Sequence, residues 1–582
     1  MRKTTLAYAS GLLGIVRGAA ALNCAGRTFQ PISAADYVAA MNPGWNLGNT
    51  LDATPTEGSW NNAPVKAETF AEIKKAGFKS VRIPVTYAYH FTGSSPGWEI
   101  DPAWLKRVSD VVDMAVDAGL CVLTNVHHDS YRWADISASG ANWTAIEERM
   151  YQTWFQIGTA LGCKSSRVAF EPINEPPIDD EEQAAELNKI NGLFLKALKD
   201  SGGFNAKRVV TLAGPGMDAL QTSQWFQAPT GYENPWALQY HYYSPYDFIF
   251  GAWGKTILTE SDIAEIEADM EYIRGNFTDV PLVLGEFDAS PADTEPAARR
   301  KWMDVVVRKA HALNTSVIVW DNGADHFNRV TKEWNDPHSV QIIMNAAKGV
   351  SNSLSKYTID DEAPEQESSA YVFYAVGKNV TDQSVEIELN GNKLKGIKTG
   401  DGVSLRSGID YTANSAGKIT FKSSFLAKYF ADQTPGIKAN LTLSFSAGAT
   451  AGVQLVTWSV PQIKGPTTSV ASPGSDLRIP VQWAGVGQPA AVKMARADGV
   501  YLFSDWARWL GPLQHGRGTF SSQWNWDGDD LILTAETVDA VVEAGVETVF
   551  TFEFFPRVEG NAVNYTLTVG VPVSSTRRGI MM

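Results

Sequence analysis

Two glutamates stand out by their positions. Glu175 follows the apolar run 168–173, and Glu286 follows the run 281–284 much further along the chain. If such carboxyl groups face one another they can divide the cleavage of a glycosidic bond between them. One protonates the departing oxygen, and the other meets the developing oxocarbenium carbon. Other polar residues sit in the same way directly after short apolar runs: Arg82, His127-His128-Asp129, Asn174, His241-Tyr242-Tyr243 and Trp320. Each alone reads as a strand-end residue facing solvent, or as a hydrogen-bonded core histidine. Recurring in succession, they read as one rim.

The elements that must carry this rim follow from periodicity. Apolar, β-branched runs occur at 44–47, 80–84, 121–126, 168–173, 209–212, 237–240, 281–284 and 316–320. Between most of them lie stretches with apolar residues three and four apart, as at 67–77, 103–119 and 181–201. This alternation over residues 28–350 predicts an α/β fold, a (β/α)8 TIM barrel, with a doubly wound sheet as the alternative. No glycine-rich phosphate loop follows a strand, which counts against a dinucleotide site. A barrel collects its reactive groups at the C-terminal ends of its strands, where these residues fall.

Beyond residue 351 the pattern becomes strand-like. The acidic stretch 360–369 (DDEAPEQESS) reads as a solvated boundary before a β-sandwich at 368–460, and 464–474 (KGPTTSVASPG) leads into a second β module at 466–572. With 44% hydrophobic and 19% charged residues among 582, the chain can bury large cores. Its formal charge of −15 repels phosphate backbones and anionic lipid, which excludes nucleic acid and membrane surfaces as partners. The 19 tryptophans suit a flat ligand with polar edges, such as a sugar. Residues 1–21 combine Arg2-Lys3, an apolar run and Ala19-Ala20-Ala21, the order of a secretory signal, so a secreted, extracellular protein is expected; a monomer is expected as well. Cys121 and Cys163 can pair, leaving Cys24 over, although three cysteines do not decide the pairing. Six Asn-X-Ser/Thr triplets, at Asn142, Asn276, Asn314, Asn379, Asn440 and Asn564, would be modified only in a eukaryotic secretory route.

The segments GWNLGNTLD (44–52), VRIPVTY (81–87), NVHHD (125–129), INEPP (173–177), HYY (241–243), LGEF (284–287) and VIVWDNG (317–323) resemble, in order, those of family 5 glycoside hydrolases of clan A. The opening motif and double histidine are similar to the subfamily of endo-β-1,4-glucanases that includes xyloglucanases and mixed-linkage glucanases. The resemblance implies a retaining double displacement on a β-glucan polysaccharide, with Glu175 as acid/base and Glu286 as nucleophile. It implies that Arg82 favours the ionised nucleophile and that Asn174 bonds the sugar 2-hydroxyl. His127, His128, His241 and Tyr243 would orient carboxylates and sugar, and Trp320 would lie under the reacting ring. Trp45 and Trp60 either add subsites or pack internally.

The middle module resembles the immunoglobulin-like modules that follow bacterial-type endoglucanases of this family, and the last resembles a family 46 carbohydrate-binding module. Trp506, Trp509, Trp524 and Trp526 of the last module either stack on sugars or fill its core. No cofactor is implied. His127-His128-Asp129 superficially resembles a metal-ligand cluster, but adjacent strand residues point to opposite faces and no zinc-type spacing lies nearby, so no metal is expected. A β-mannanase would use the same glutamates, and a catalytically silent carbohydrate-binding protein would need only the aromatics.

Overall fold

The computed structural model describes residue 22 and residues 24–570. The expected signal segment therefore lies outside the described residues. Strands β1 (Gly44–Asn46), β2 (Ser80–Ile83), β3 (Cys121–Asn125), β4 (Val168–Glu171), β5 (Val210–Ala213), β6 (Trp236–Tyr242), β7 (Leu282–Phe287) and β8 (Thr315–Val319) pair in parallel in that order. The barrel closes where Gly44 of β1 pairs with Ile318 of β8. The expected (β/α)8 barrel is thus present.

Local chemistry sets the helices that cover it. Asp180 caps helix Glu181–Ser201 by accepting from the Gln183 amide, and Thr259 and Asp262 form a reciprocal capping box at Glu260–Asn276. The short helix Ala34–Ala40 closes the bottom of the barrel, where Tyr37 and Val38 pack with Leu123, Ala169, Val283 and Ile318. A disulfide joins Cys24 to Cys163 with their Cα atoms 5.3 Å apart, and Cys121 is free. The pairing that sequence left open is thus Cys24–Cys163 and not Cys121–Cys163. Cys121 opens β3 and packs against the bottom-closing helix cluster, whereas Cys163 follows helix Trp143–Leu161 and meets the incoming N-terminal segment.

Two four-stranded sheets form each of the following modules. Val385, Ile387, Phe421, Leu443 and Leu455 lie in the core of the middle one, and Val481, Phe550, Phe552 and Leu567 in that of the last. The stretch 360–369 is less solvated than its composition suggests. Gln366 is buried and bonds Thr256 of the barrel, and Ser368 donates to Glu295 at 2.5 Å.

The last module folds back onto the barrel segment 246–257. Arg557, fully buried, donates to the carbonyl of Gly254 at 3.0 Å and to the Thr256 hydroxyl at 2.9 Å. Trp506 meets Trp253 edge to face at 4.9 Å between ring centroids. Among the described residues no helix is long and apolar enough to cross a membrane.

Candidate active site

The residues that position the site are already fixed by the strands. Arg82 lies inside β2, fully buried, and every guanidinium N–H has a partner. Its Nε and Nη2 donate to Glu171 at 2.8 and 2.7 Å, Nη2 also to Asn174 Oδ1 at 2.7 Å, and Nη1 to Asn46 Oδ1 at 3.1 Å and to Glu286 Oε1. A buried guanidinium with two carboxylates keeps its charge: burial works against it, but Glu171 and Glu286 raise its pKa above the ordinary value.

Glu286 reaches the rim because β7 carries a bulge. Tyr240 pairs with Leu284 but His241 pairs with Glu286, which leaves Gly285 as the extra residue. A Cβ at Gly285 would stand 2.5 Å from Gln239 Nε2, so the bulge needs glycine. Glu286 also accepts from the Tyr243 hydroxyl at 3.0 Å.

Glu175 follows β4 with φ at +37°, a strained left-handed conformation for a residue with a side chain. Its Oε1 lies 2.6 Å from His241 Nδ1, and its Oε2 accepts from the Tyr131 hydroxyl at 2.8 Å. His241 Nδ1 is also 3.8 Å from Glu286. Ligand-type atoms of Glu175, His241 and Glu286 all lie within 4.8 Å of one another. The two carboxylates placed far apart in sequence therefore face each other closely.

Their electrostatics differ. Burial pushes the Glu286 carboxyl above its ordinary value, with His241 and Arg82 pulling against that push. Burial also acts on Glu175, but its hydrogen bonds from His241 and Tyr131 draw it below the ordinary value. The two carboxyl groups are therefore shifted in opposite directions by their surroundings. Tyr131 and Tyr243, raised chiefly by burial and then by the glutamates, remain O–H donors.

Trp320 directly follows β8, and its amide donates at 3.0 Å to the carbonyl of Phe287, the residue after Glu286. Its indole packs against Gly48, where a Cβ would come within 2.7 Å of the ring, and its plane is parallel to His127 at 5.9 Å. Burial, then the charges of His128, Arg82 and His241, holds His127 well below the ordinary imidazole pKa, so it is neutral. The expectation that His127 and His128 point apart fails, because the chain leaves β3 into the turn His128–Tyr131 and the two rings meet at 4.5 Å. As a result Asp52, His127 and His128 form a second group whose ligand-type atoms lie within 4.8 Å, a set that could hold a metal ion.

The tryptophans divide. Trp45 is buried and donates to Asp321 at 2.7 Å, whereas Trp60 is exposed, 5.3 Å from the His128 ring. Trp506 and Trp509 are exposed. Trp524, 3% exposed and bonded to the Gly518 carbonyl, packs in the module core, and Trp526 is half-buried against Trp483. The sugar-stacking reading of Trp524 is thereby corrected, since its faces are spent on Phe520 and the sheet. Barrel and module share an aromatic path in which Tyr243, Phe250, Tyr246, Trp253 and Trp506 follow one another at 4.9 to 6.3 Å.

Sequence reasoning missed Glu171, Asn46, Asn125, Gln239 and Tyr131. For Glu171 and Gln239 a signal was present: each is a polar residue inside an apolar strand run, where burial demands a partner.

Comparison with known proteins agrees with this geometry. Residues 46–326 match the cellulase family (glycosyl hydrolase family 5), and residues 366–455 match carbohydrate binding domain X2. Endoglucanase B of Paenibacillus lautus is 31% identical over 80% of this chain and 82% of its own length. A tri-modular endo-β-1,4-glucanase (family 5, subfamily 4) from Bacillus licheniformis, solved with cellotetraose, is 33% identical and superposes with a TM-score of 0.82 over 93% of this chain and 100% of its own. The full-length tri-modular endo-β-1,4-glucanase B of Bacillus halodurans is 26% identical, with a TM-score of 0.75 over 92% of this chain and 97% of its own. With the paired glutamates at the barrel rim and this extent of likeness, the chain belongs to glycosyl hydrolase family 5.

Proposed function

We propose that this protein is a secreted, retaining endo-β-1,4-glucanase that cuts β-glucan chains by double displacement, with Glu286 as nucleophile and Glu175 as acid/base. The observation that carries the reading is the closeness of the two carboxylates, with oxygens within 4.8 Å. Retention needs carboxyl groups about 5–5.5 Å apart, and inversion needs about 6.5–9.5 Å for an intervening water. Arg82, which touches Glu286 and not Glu175, favours negative charge on the former. Attack then needs a proton on Glu175. Burial raises Glu286, and the hydrogen bonds from His241 and Tyr131 lower Glu175, the reverse of what these roles need, so bound substrate must invert that order by excluding water around Glu175.

Attack of Glu286 on the anomeric carbon breaks the glycosidic bond as Glu175 gives its proton to the leaving oxygen. Glu175 next takes a proton from water, whose oxygen displaces Glu286 and restores the β configuration. Trp320 offers an apolar face for the reacting sugar, and the path through Trp253 to Trp506 offers further faces on a longer chain. That path supports a polymeric substrate and a cleft completed by the last module. Reducing-sugar release from cellulose, xyloglucan, mixed-linkage glucan and mannan tests the substrate class; cleavage of mannan alone would reject the glucanase reading. NMR of the first product tests retention, and an initial α anomer would reject it. The disulfide suits an oxidising compartment, and secretion predicts a mature N-terminus close to residue 22.

A further inference from the structure

Below the two catalytic carboxylates lies a third glutamate that touches neither substrate nor reacting atoms. Glu171, at the end of β4, is fully buried. Its oxygens accept four hydrogen bonds: two from Arg82, one from Asn125 Nδ2 at 2.8 Å and one from Gln239 Nε2 at 2.8 Å. Burial alone would favour the neutral acid, but Arg82 holds the pKa below the ordinary value, so the group only accepts.

This has a consequence for the two amides. A side-chain amide next to a carboxylate must turn its nitrogen inward, because the opposite orientation sets two oxygens face to face. Each amide nitrogen carries a second hydrogen, and here each meets a histidine. Asn125 Nδ2 lies 3.0 Å from His127 Nδ1, and Gln239 Nε2 lies 3.3 Å from His241 Nε2. A nitrogen that receives an N–H must offer a lone pair, so the ring proton is driven to the other nitrogen. The orientation has a cost that shows what enforces it. Gln239 Oε1 is buried with no hydrogen-bond partner among the described residues, and turning the amide to relieve it would break the bond to Glu171. Asn125 meets no such conflict, since its Oδ1 accepts from the Val85 amide at 3.2 Å.

We propose that Glu171 is a positioning residue that, through the amides of Asn125 and Gln239, fixes the ring proton of His127 on Nε2 and that of His241 on Nδ1. For His241 the outcome is a donor aimed at Glu175 Oε1, 2.6 Å away, which holds the acid/base carboxylate in place. For His127 it is a ring that can only donate from its Nε2 side, beside Trp320. One buried carboxylate thereby sets the polarity of both histidines while it also holds the arginine of the nucleophile. The inference builds on the proposed function for its catalytic meaning, but the proton positions are properties of the fold alone.

The test is nitrogen NMR of the full chain labelled in its eight histidines, with His127 and His241 assigned by single substitutions. The expected result at neutral pH is a single tautomer for each ring, with a bare Nδ1 on His127 and a bare Nε2 on His241. In Glu171→Gln the introduced amide must present N–H groups to donors on one side. At least one ring should then lose its single tautomer, and kcat should fall about 100-fold with KM little changed, as expected for small misplacement of reacting groups. Gln239→Met, which keeps volume, should disturb His241 and leave His127 as it was. A proton on Nδ1 of His127, a proton on Nε2 of His241, or unchanged tautomers in Glu171→Gln would overturn the proposal. Fixed tautomers in a protein that cleaves no β-glucan would uphold it and reject the functional reading instead.

Discussion

Two fully buried arginines, Arg82 under the cleft and Arg557 at the junction of barrel and last module, are used in opposite ways. Arg82 spends its donors on two carboxylates and two asparagines, and its pKa is raised. Arg557 meets one carboxylate, Glu553, and otherwise carbonyls of Gly254 and Leu513 and the Thr256 hydroxyl; burial outweighs Glu553 and lowers its pKa to about 10. The first arrangement maintains a charge beside the proposed nucleophile, and the second fastens two surfaces together. Burial alone therefore does not identify a functional arginine; the kind of partner does.

The largest effect that would break this contrast lies in the cleft. Glu286→Gln and Glu175→Gln should each lower polymer hydrolysis by about 10^4-fold or more, the scale of lost nucleophiles and general bases. Thermal unfolding should stay nearly unchanged for both, and a comparable loss from Arg557→Met would remove the distinction.

Arg82→Lys comes next, with kcat lower by about 10^2–10^3-fold, because an ammonium cannot replace the forked contact to Glu171, Asn174 and Glu286. The pH profile sharpens the reading. Glu286 must be ionised to attack, and burial already raises its pKa, so activity is lost as pH falls through that raised value. Weakening the guanidinium contact raises it further. The acid limb of kcat/KM should therefore move to higher pH in Arg82→Lys and stay in place in Arg557→Met.

How much of this was legible in the sequence follows from the same contrast. The barrel and the rim residues could be read because strand ends alternate with helices and each rim residue directly follows an apolar run. Arg82 was found among them, although the structure places it inside β2 rather than after it. Arg557 was not, since its role depends on a barrel segment some 300 positions away, and no local pattern encodes such a meeting. The Cys24–Cys163 pair eluded sequence reasoning for the same reason. Trp524 and Trp506 are equally aromatic in sequence, and only the sheet on which Trp524 lies decides that it is core.

Smaller effects belong to the junction. Arg557→Met should cost about 1–3 kcal/mol, the scale of buried carbonyls left unpaired, because Glu553 retains Arg517 at 2.6 Å. Limited proteolysis at 360–369 should quicken, and activity on soluble xyloglucan should fall several-fold while a short activated cellobioside is cleaved as before. The smallest effect is expected for Trp253→Ala and Trp506→Ala. Each should raise KM on polymer several-fold, and their double-mutant coupling should be about 0.5–1.5 kcal/mol, the scale of an edge-to-face pair. Additive losses would show that the two rings do not act together on the glucan chain.

The most direct test of the central claim is mass spectrometry of Glu175→Ala during turnover of a dinitrophenyl β-cellobioside. An activated leaving group departs without protonation, so the first step proceeds while the second lacks its base. The account predicts that a cellobiosyl adduct accumulates and that peptide mapping places it on Glu286. Absence of any adduct, with direct release of an α-configured sugar, would contradict it.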